Sequence, residues 1–240
     1  MKIQNETKVN IEEWSPKTKI GQMVKNGEIT TIDQILDNGL KILESEIIDI
    51  LIPNLQIELI EVGQSKGKFG GGKGSIWKQT QKKTKEGSQI KFATYAVVGN
   101  RNGYVGIGFG DAKETVPARE KAIRRAKLNI IKIIRGCGSW ACDCKEPHSI
   151  PFKVKGKSSS VEIELIPAPK GTKLTVEKKC QIILNYAGIN DIYSRTNGQT
   201  ATKFNLVKAC FEALKNLAKV KVQENYKQKA GVLSGAIKNE

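Results

Sequence analysis

Apolar positions come in short runs whose spacing switches between two periods, so the chain reads as a mixture of strands and helices. Residues 1–30 show no clear period. Pro16 and Gly27 punctuate them, and an extended lead-in with Trp14 as its one large anchor is expected. Ile32, Ile35 and Leu36 then make a short helical stripe that Thr30 or Thr31 can cap and Gly39 can end. The apolar, acidic run 44–52 suits a helix ended by Pro53, and a strand fits it as well. A strand around Ile57–Val62 follows, and after it the Gly- and Lys-rich stretch Gly63–Gly87, which reads as a mobile cationic loop. Residues 89–110 alternate like a hairpin that turns at Gly99–Gly103. A long helix from about Lys113 to Ile134 is expected next, with Ala122, Ile123, Ala126, Ile130 and Ile133 as its apolar stripe. Pro117 is tolerable only in a first turn, which moves the start towards Thr115.

Residues 136–151 have no period. Two strands, Phe152–Gly156 and Val161–Ile166, come after them, and then a helix from about Val176 to Ala187 with Gly188 as C-cap. A short strand near Asp191–Ser194 and a last helix from about Thr202, with Phe204, Val207, Phe211, Leu214 and Leu217 on one side, complete the pattern. The chain is therefore expected to be α+β, with a segment 1–54, a first domain 55–136, a linker 137–150, a second domain 151–220 and a flexible polar tail 221–240.

Charge adds a direction to this picture. The chain carries 40 Lys and Arg against 24 Asp and Glu, a net of +16. The sign changes along it, from −4 over residues 1–60 to +12 over 61–137 and +8 over 138–240. Such a field draws a protein to a polyanion and is silent about fold. The candidate phosphate contacts are Lys66, Lys68, Lys73, Lys78, Lys82, Lys83, Lys85 and Lys91 in the loop and hairpin, Arg101 at the hairpin turn, and Arg119, Lys121, Arg124, Arg125 and Arg135 on and after the helix. Lys127 and Lys132 fall on the same basic flank, for which a solvated helix face is the plain alternative. Aromatics are only 6%, so phosphate contact is expected to outweigh base stacking. No run approaches the roughly 18 apolar residues of a membrane span. The first residues have no apolar signal region, and five cysteines, three within eight residues, suit a reducing cytoplasm better than a disulfide framework.

Three motifs bear on chemistry. Gly67–Lys73 fits seven positions of a phosphate-cradling loop, but Gly74 stands where Ser or Thr must hold magnesium, and no long helix follows. A basic loop explains the same residues. Gly106, Gly108 and Gly110 form GxGxG, not the dinucleotide fingerprint, and are read as strand glycines where another backbone comes close. Cys137, Cys142, Cys144 and His148 place four zinc-type ligands within twelve residues. Bound zinc would be structural, since four protein ligands leave no open position; the other reading is partly buried free thiols beside Trp140. No catalytic set stands out, because His148 is the one histidine and lies in the cysteine loop.

Longer segments carry a resemblance: Gly99-Asn-Arg-Asn-Gly-Tyr-Val-Gly-Ile-Gly108, Ala126-Lys-Leu-Asn-Ile-Ile131, Arg135-Gly-Cys-Gly-Ser-Trp140, Pro147-His-Ser-Ile-Pro-Phe-Lys-Val154, Ile166-Pro-Ala-Pro-Lys-Gly171, Ala187-Gly-Ile-Asn-Asp-Ile192 and Gly198-Gln-Thr-Ala-Thr202. With Trp14-x-Pro-Lys-Thr18 and Glu46-Ile-Ile-Asp49, the chain over residues 14–218 resembles the ribosomal small-subunit protein five family in its archaeal form. The resemblance implies a domain like a double-stranded-RNA-binding domain, then an α+β domain with a left-handed crossover. It implies a non-enzymatic, cytoplasmic ribosomal protein that binds small-subunit ribosomal RNA near the mRNA entry channel. Neighbouring small-subunit proteins three, four and eight and a role in decoding accuracy come with it. The hairpin loop that reaches RNA would be Lys82–Lys91. About ten residues within Gly63–Ser75 are extra to the family pattern, which suggests an RNA-reaching extension. A free double-stranded-RNA binder and a nucleotide hydrolase using Lys73 are the alternatives.

Overall fold

The computed structural model describes residues 2–4, 14–52, 54–63 and 74–236. Two compact units result, Met1–Val98 with Gly106–Ile130, and Gly99–Val105 with Ile131–Glu240. The proposed phosphate loop Gly67–Lys73 and most of the Gly63–Ser75 insertion lie outside the described residues.

The first unit contains β1 (Lys2–Gln4), α1 (Lys19–Lys25), α2 (Ile32–Asp37), α3 (Glu46–Leu51), β2 (Gln56–Ile60), β3 (Lys78–Thr84), β4 (Gly87–Gly99), most of β5 (Tyr104–Ala112) and α4 (Thr115–Leu128). With β6 (Ile130–Lys132) the sheet order is β1-β2-β4-β5-β6, and β3 pairs with β4. The thirteen residues of β4 do two jobs. Ala93 to Gly99 are buried, whereas Gly87 to Lys91 are exposed and pair antiparallel with β3, from Lys78↔Ala93 to Thr84↔Gly87. The outer half is therefore a two-stranded polar ribbon continuing a core strand.

Helix α4 packs on β5 through small residues. Ala118, Ala122 and Ala126 are fully buried. A Cβ at Gly106, Gly108 or Gly110 would collide with the carbonyls of Ala126, Ala122 and Ala118 respectively. The GxGxG motif is thus a groove for a helix backbone, which leaves no room there for a dinucleotide.

The second unit contains β7 (Ile134–Arg135), β8 (Val154–Ser158), β9 (Val161–Pro167), β10 (Leu174–Thr175), α5 (Lys178–Ala187), β11 (Ile192–Asn197), α6 (Lys203–Lys219), α7 (Glu224–Lys229) and β12 (Leu233–Ser234). The sheet order is β10-β11-β9-β8, with β10 parallel to β11 and α5 lying between them in sequence. Gly188, at φ 79°, ends α5 as expected. Leu206, Phe211, Leu214 and Leu217 of α6 form its core with Ile183, Leu184, Val161, Ile163 and Leu165. Both units mix helix and sheet, so the α+β expectation stands.

Five local expectations are corrected. The lead-in contains α1, whose cap Thr18 accepts from the Gly21 N–H; the Glu44 carboxylate accepts from the Lys17 and Thr18 amides, a support remote in sequence. The long helix stops at Leu128, where the Asn129 amide turns back to the Ile107 carbonyl; the β-branched run behind it continues as strand, so Ile130 and Ile133 are not on the helical stripe. Lys78–Thr84, read as loop, is strand. Lys127, placed on the basic flank of the helix, is buried and bonds Asp49 at 2.6 Å. Burial raises the Asp49 carboxyl above its ordinary value, and the Lys127 bond and charge oppose that. The tail after Lys219 carries α7 and β12, and β12 pairs with β7.

Candidate metal centre and nucleic-acid surface

The cysteine loop is closed by backbone bonds before any side chain is considered. Gly136 and Ser149 exchange N–H···O bonds of 2.9 and 3.1 Å, and the Gly138 N–H donates to the Ile150 carbonyl. These bonds set Cys137 beside His148. A turn from the Ser139 carbonyl to the Cys142 N–H brings the two middle cysteines back towards them. The four ligand atoms of Cys137, Cys142, Cys144 and His148 lie within 4.8 Å of one another. Around zinc, with Zn–S near 2.3 Å and Zn–N near 2.05 Å, a tetrahedral S···N edge is about 3.6 Å; Cys142 Sγ and His148 Nε2 are 3.9 Å apart.

His148 is fixed from behind. Its carbonyl accepts from the Asn190 and Asp191 amides, and its Nδ1 lies 2.9 Å from Asp191 Oδ2. The other Asp191 oxygen accepts from the Gly171 and Lys173 amides. Histidine and aspartate are 6% and 5% exposed. With the carboxylate accepting, Nδ1 carries the proton and the Nε2 lone pair faces the cysteines. The thiols differ in character. Backbone N–H groups of Lys170 and Cys144 hold Cys142 down at about 6, whereas burial and bonds from Cys144 and Cys142 push Cys137 up to about 11. Trp140 is fully exposed and shields none of them. Cys180 and Cys210 are buried elsewhere.

Lys78, Lys82, Lys83, Lys85 and Lys91 are all exposed on the β3–β4 ribbon. Because strand side chains alternate and Thr80 pairs with Lys91, the side chains of Lys78, Lys82 and Lys91 share one face, with Lys91 diagonal to the other two. Lys83 points to the opposite face. On α4, Arg124 and Arg125 are exposed and Arg119 is half-buried. Lys121 bonds Asp111 at 2.9 Å and Arg125 donates to the Phe109 carbonyl. The Lys121 bond holds the Asp111 carboxyl below its usual value, so Lys121 must exchange a partner to bind phosphate. Lys66, Lys68 and Lys73 lie outside the described residues.

Two arginines of the second unit behave differently from that surface. Arg101 is exposed in the left-handed region, φ 57°, with its guanidinium 5.7 Å from the centre of the Tyr186 ring. Arg135 is 3% exposed and is removed from the phosphate-contact set. Its guanidinium donates to Asn102 Oδ1 at 2.8 Å, the Gly235 carbonyl at 3.0 Å and the Gly188 carbonyl at 3.4 Å. A lone arginine gives no sequence sign of burial when two of its three acceptors are backbone carbonyls and the third is 33 residues away. Asp191 was missed for a related reason, since it sits 43 residues from His148.

Residues 76–134 match the family described as Ribosomal protein S5, N-terminal domain, and residues 156–228 match Ribosomal protein S5, C-terminal domain. Small ribosomal subunit protein uS5 of Nanoarchaeum equitans is 49% identical over 232 residues, 97% of this chain and all of that protein. The chain belongs to the uS5 family. The uS5 of Methanocaldococcus jannaschii is 48% identical over 95% of this chain and 98% of that protein, and that of Saccharolobus islandicus 47% over 87% and 90%. As a uS5 protein it is a structural constituent of the small ribosomal subunit, in agreement with the archaeal resemblance, and its relatives are ribosomal proteins rather than nucleotide hydrolases.

Proposed function

We propose that this uS5 protein binds small-subunit ribosomal RNA through the β3–β4 ribbon, with the exposed side of α4 as a second contact. The observation that carries the reading is the shared face of Lys78, Lys82 and Lys91, all three exposed, on a strand pair whose outer part is exposed on both strands. A rigid ribbon holds three cations at fixed spacing, which suits a phosphate backbone better than a mobile loop does. The resemblance supports the finer placement: the mRNA entry channel of the cytoplasmic ribosome, contact with small-subunit proteins three, four and eight, and support of decoding accuracy.

The test is the salt dependence of binding to small-subunit RNA. Each phosphate contact contributes roughly 0.7–0.9 to the slope of log affinity against log salt. Changing Lys78, Lys82 and Lys91 together to Ala should lower that slope by about two. An unchanged slope sinks the ribbon as the contact. Cosedimentation of the full chain with small subunits, but not with generic duplex RNA, separates ribosomal assembly from free duplex binding.

A further inference from the structure

The Cys137–His148 cluster lies in the second unit, and neither the family match nor the RNA reading assigns it a role. We propose that Cys137, Cys142, Cys144 and His148 bind one structural zinc ion through three thiolates and Nε2, and that this ion fastens the C-terminal segment 224–236 to the rest of the second unit.

Three observations carry the proposal. The ligand set is soft and sufficient, with three sulfurs and one imidazole nitrogen within 4.8 Å and no open position for substrate. The imidazole is oriented for it, because Asp191 binds Nδ1 and is itself held by two backbone amides. A carboxylate behind a metal-bound histidine fixes its tautomer and raises its basicity as a ligand. An ordinary buried His–Asp pair explains the 2.9 Å contact but not three sulfurs gathered on the other nitrogen.

The consequence follows from what the loop touches. The Cys137 N–H donates to the Ala230 carbonyl at 2.7 Å, and Gly231 packs so close to the Lys145 carbonyl that a Cβ there would collide with it. Cys137 and Lys145 bracket the other two cysteines. A bound ion sets the distance between these two points, and with it the seat of Ala230 and Gly231. Tyr226 adds a bond from its hydroxyl to the Pro151 carbonyl, next to the same loop. On binding, each thiol that ligates gives up its proton to solvent; no electron transfer is involved.

The experiment starts with the full chain, purified under reducing conditions and analysed for metal. One equivalent of zinc is expected, and cobalt substituted for it should show the intense visible absorption of a tetrahedral thiolate site. Zinc well below one equivalent after reloading, with no such absorption from cobalt, overturns the site. Because Cys144→Ser can fail to fold, Asp191→Asn provides a second reading. It should keep the ion but weaken it 10–100-fold in a chelator competition, whereas a merely structural Asp191 would destabilise the chain without moving zinc affinity. For the fastening role, chelation should raise exchange at the Cys137 amide and at Gly235, and zinc should restore both. Unchanged exchange at these amides on metal removal overturns that half.

Discussion

Changing Arg135 to Ala tests the reassignment of this residue from RNA contact to internal tie. Two good bonds, to Asn102 Oδ1 at 2.8 Å and the Gly235 carbonyl at 3.0 Å, are lost together with a long one to Gly188. Hydrogen bonds from a charged donor contribute about 1.5–3 kcal/mol each, so the gross loss is about 3–6 kcal/mol. The guanidinium is desolvated, which lowers its pKa. Relieving that desolvation offsets part of the loss, and about 2–4 kcal/mol of net destabilisation remains. The loss is local at first, because β12 is short and Gly235 is bonded only through Arg135 and the Ile133 carbonyl among the contacts described. Hydrogen exchange at the Gly235 amide should therefore rise before global unfolding, and the midpoint in urea should fall. Arg135→Lys should recover little, since one ammonium cannot span acceptors on three segments. If Arg135→Ala leaves exchange and midpoint unchanged but lowers RNA affinity and its salt slope by about one contact, the buried-tie reasoning is refuted.

Gly108→Ala should destabilise the first unit by about 1–3 kcal/mol, because the new methyl meets the Ala122 and Ala126 backbone; thermal unfolding measures it, and a neutral result removes the groove account. Asp49→Ala should cost about 3–5 kcal/mol by stranding the buried Lys127 ammonium, and Asp49→Ala with Lys127→Met should recover much of it in a double-mutant cycle. The carboxyl of Glu164, bonded by Lys153 and near Lys155, is held below its ordinary value. Its folded value is depressed, so its contribution is present above the ordinary glutamate range and lost as pH falls through and below that range. Glu164→Gln should flatten the acid limb of a stability–pH curve, and an unaltered limb contradicts the pairing.

Elements with a strong local pattern were legible in the residues. Pro117 in the first turn of α4, Gly188 at the C-cap of α5 and the strand expected at Val161–Ile166 all found their places. What escaped depended on remote partners. Thr18 caps α1, but Glu44 across the unit holds the entry to that helix. Ile130 and Ile133 continue the helical spacing of Ala122 and Ala126, yet after Asn129 the β-branched run leaves the helix, with Ile130 in β6 and Ile133 between β6 and β7. The cysteines and His148 were visible as a set because they are close in sequence, whereas Asp191 behind the histidine was not. The basic residues separated by environment rather than type: Lys82 and Lys91 stayed in water, while Lys127 and Arg135 went inside.

The C-terminal segment shows why polarity misleads about order. Residues 221–229 are mostly polar, with Val222 and Tyr226 as the apolar exceptions, and on that ground the segment reads as a loose tail. The atoms that bind them belong to other segments and are met by backbone. Cys137 donates to the Ala230 carbonyl, Arg135 to the Gly235 carbonyl, and β7 pairs with β12. A stretch anchored through its own carbonyls has no sequence signature, because every residue type presents one. Cutting the chain after Lys219 should therefore act on Arg135 and Cys137 as strongly as mutating them. It removes an acceptor of the buried guanidinium and leaves the Cys137 amide without the Ala230 carbonyl at the edge of the proposed zinc loop. Loss of this segment should thus lower the stability of the second unit, although Ala230 is the one buried apolar side chain among its described residues.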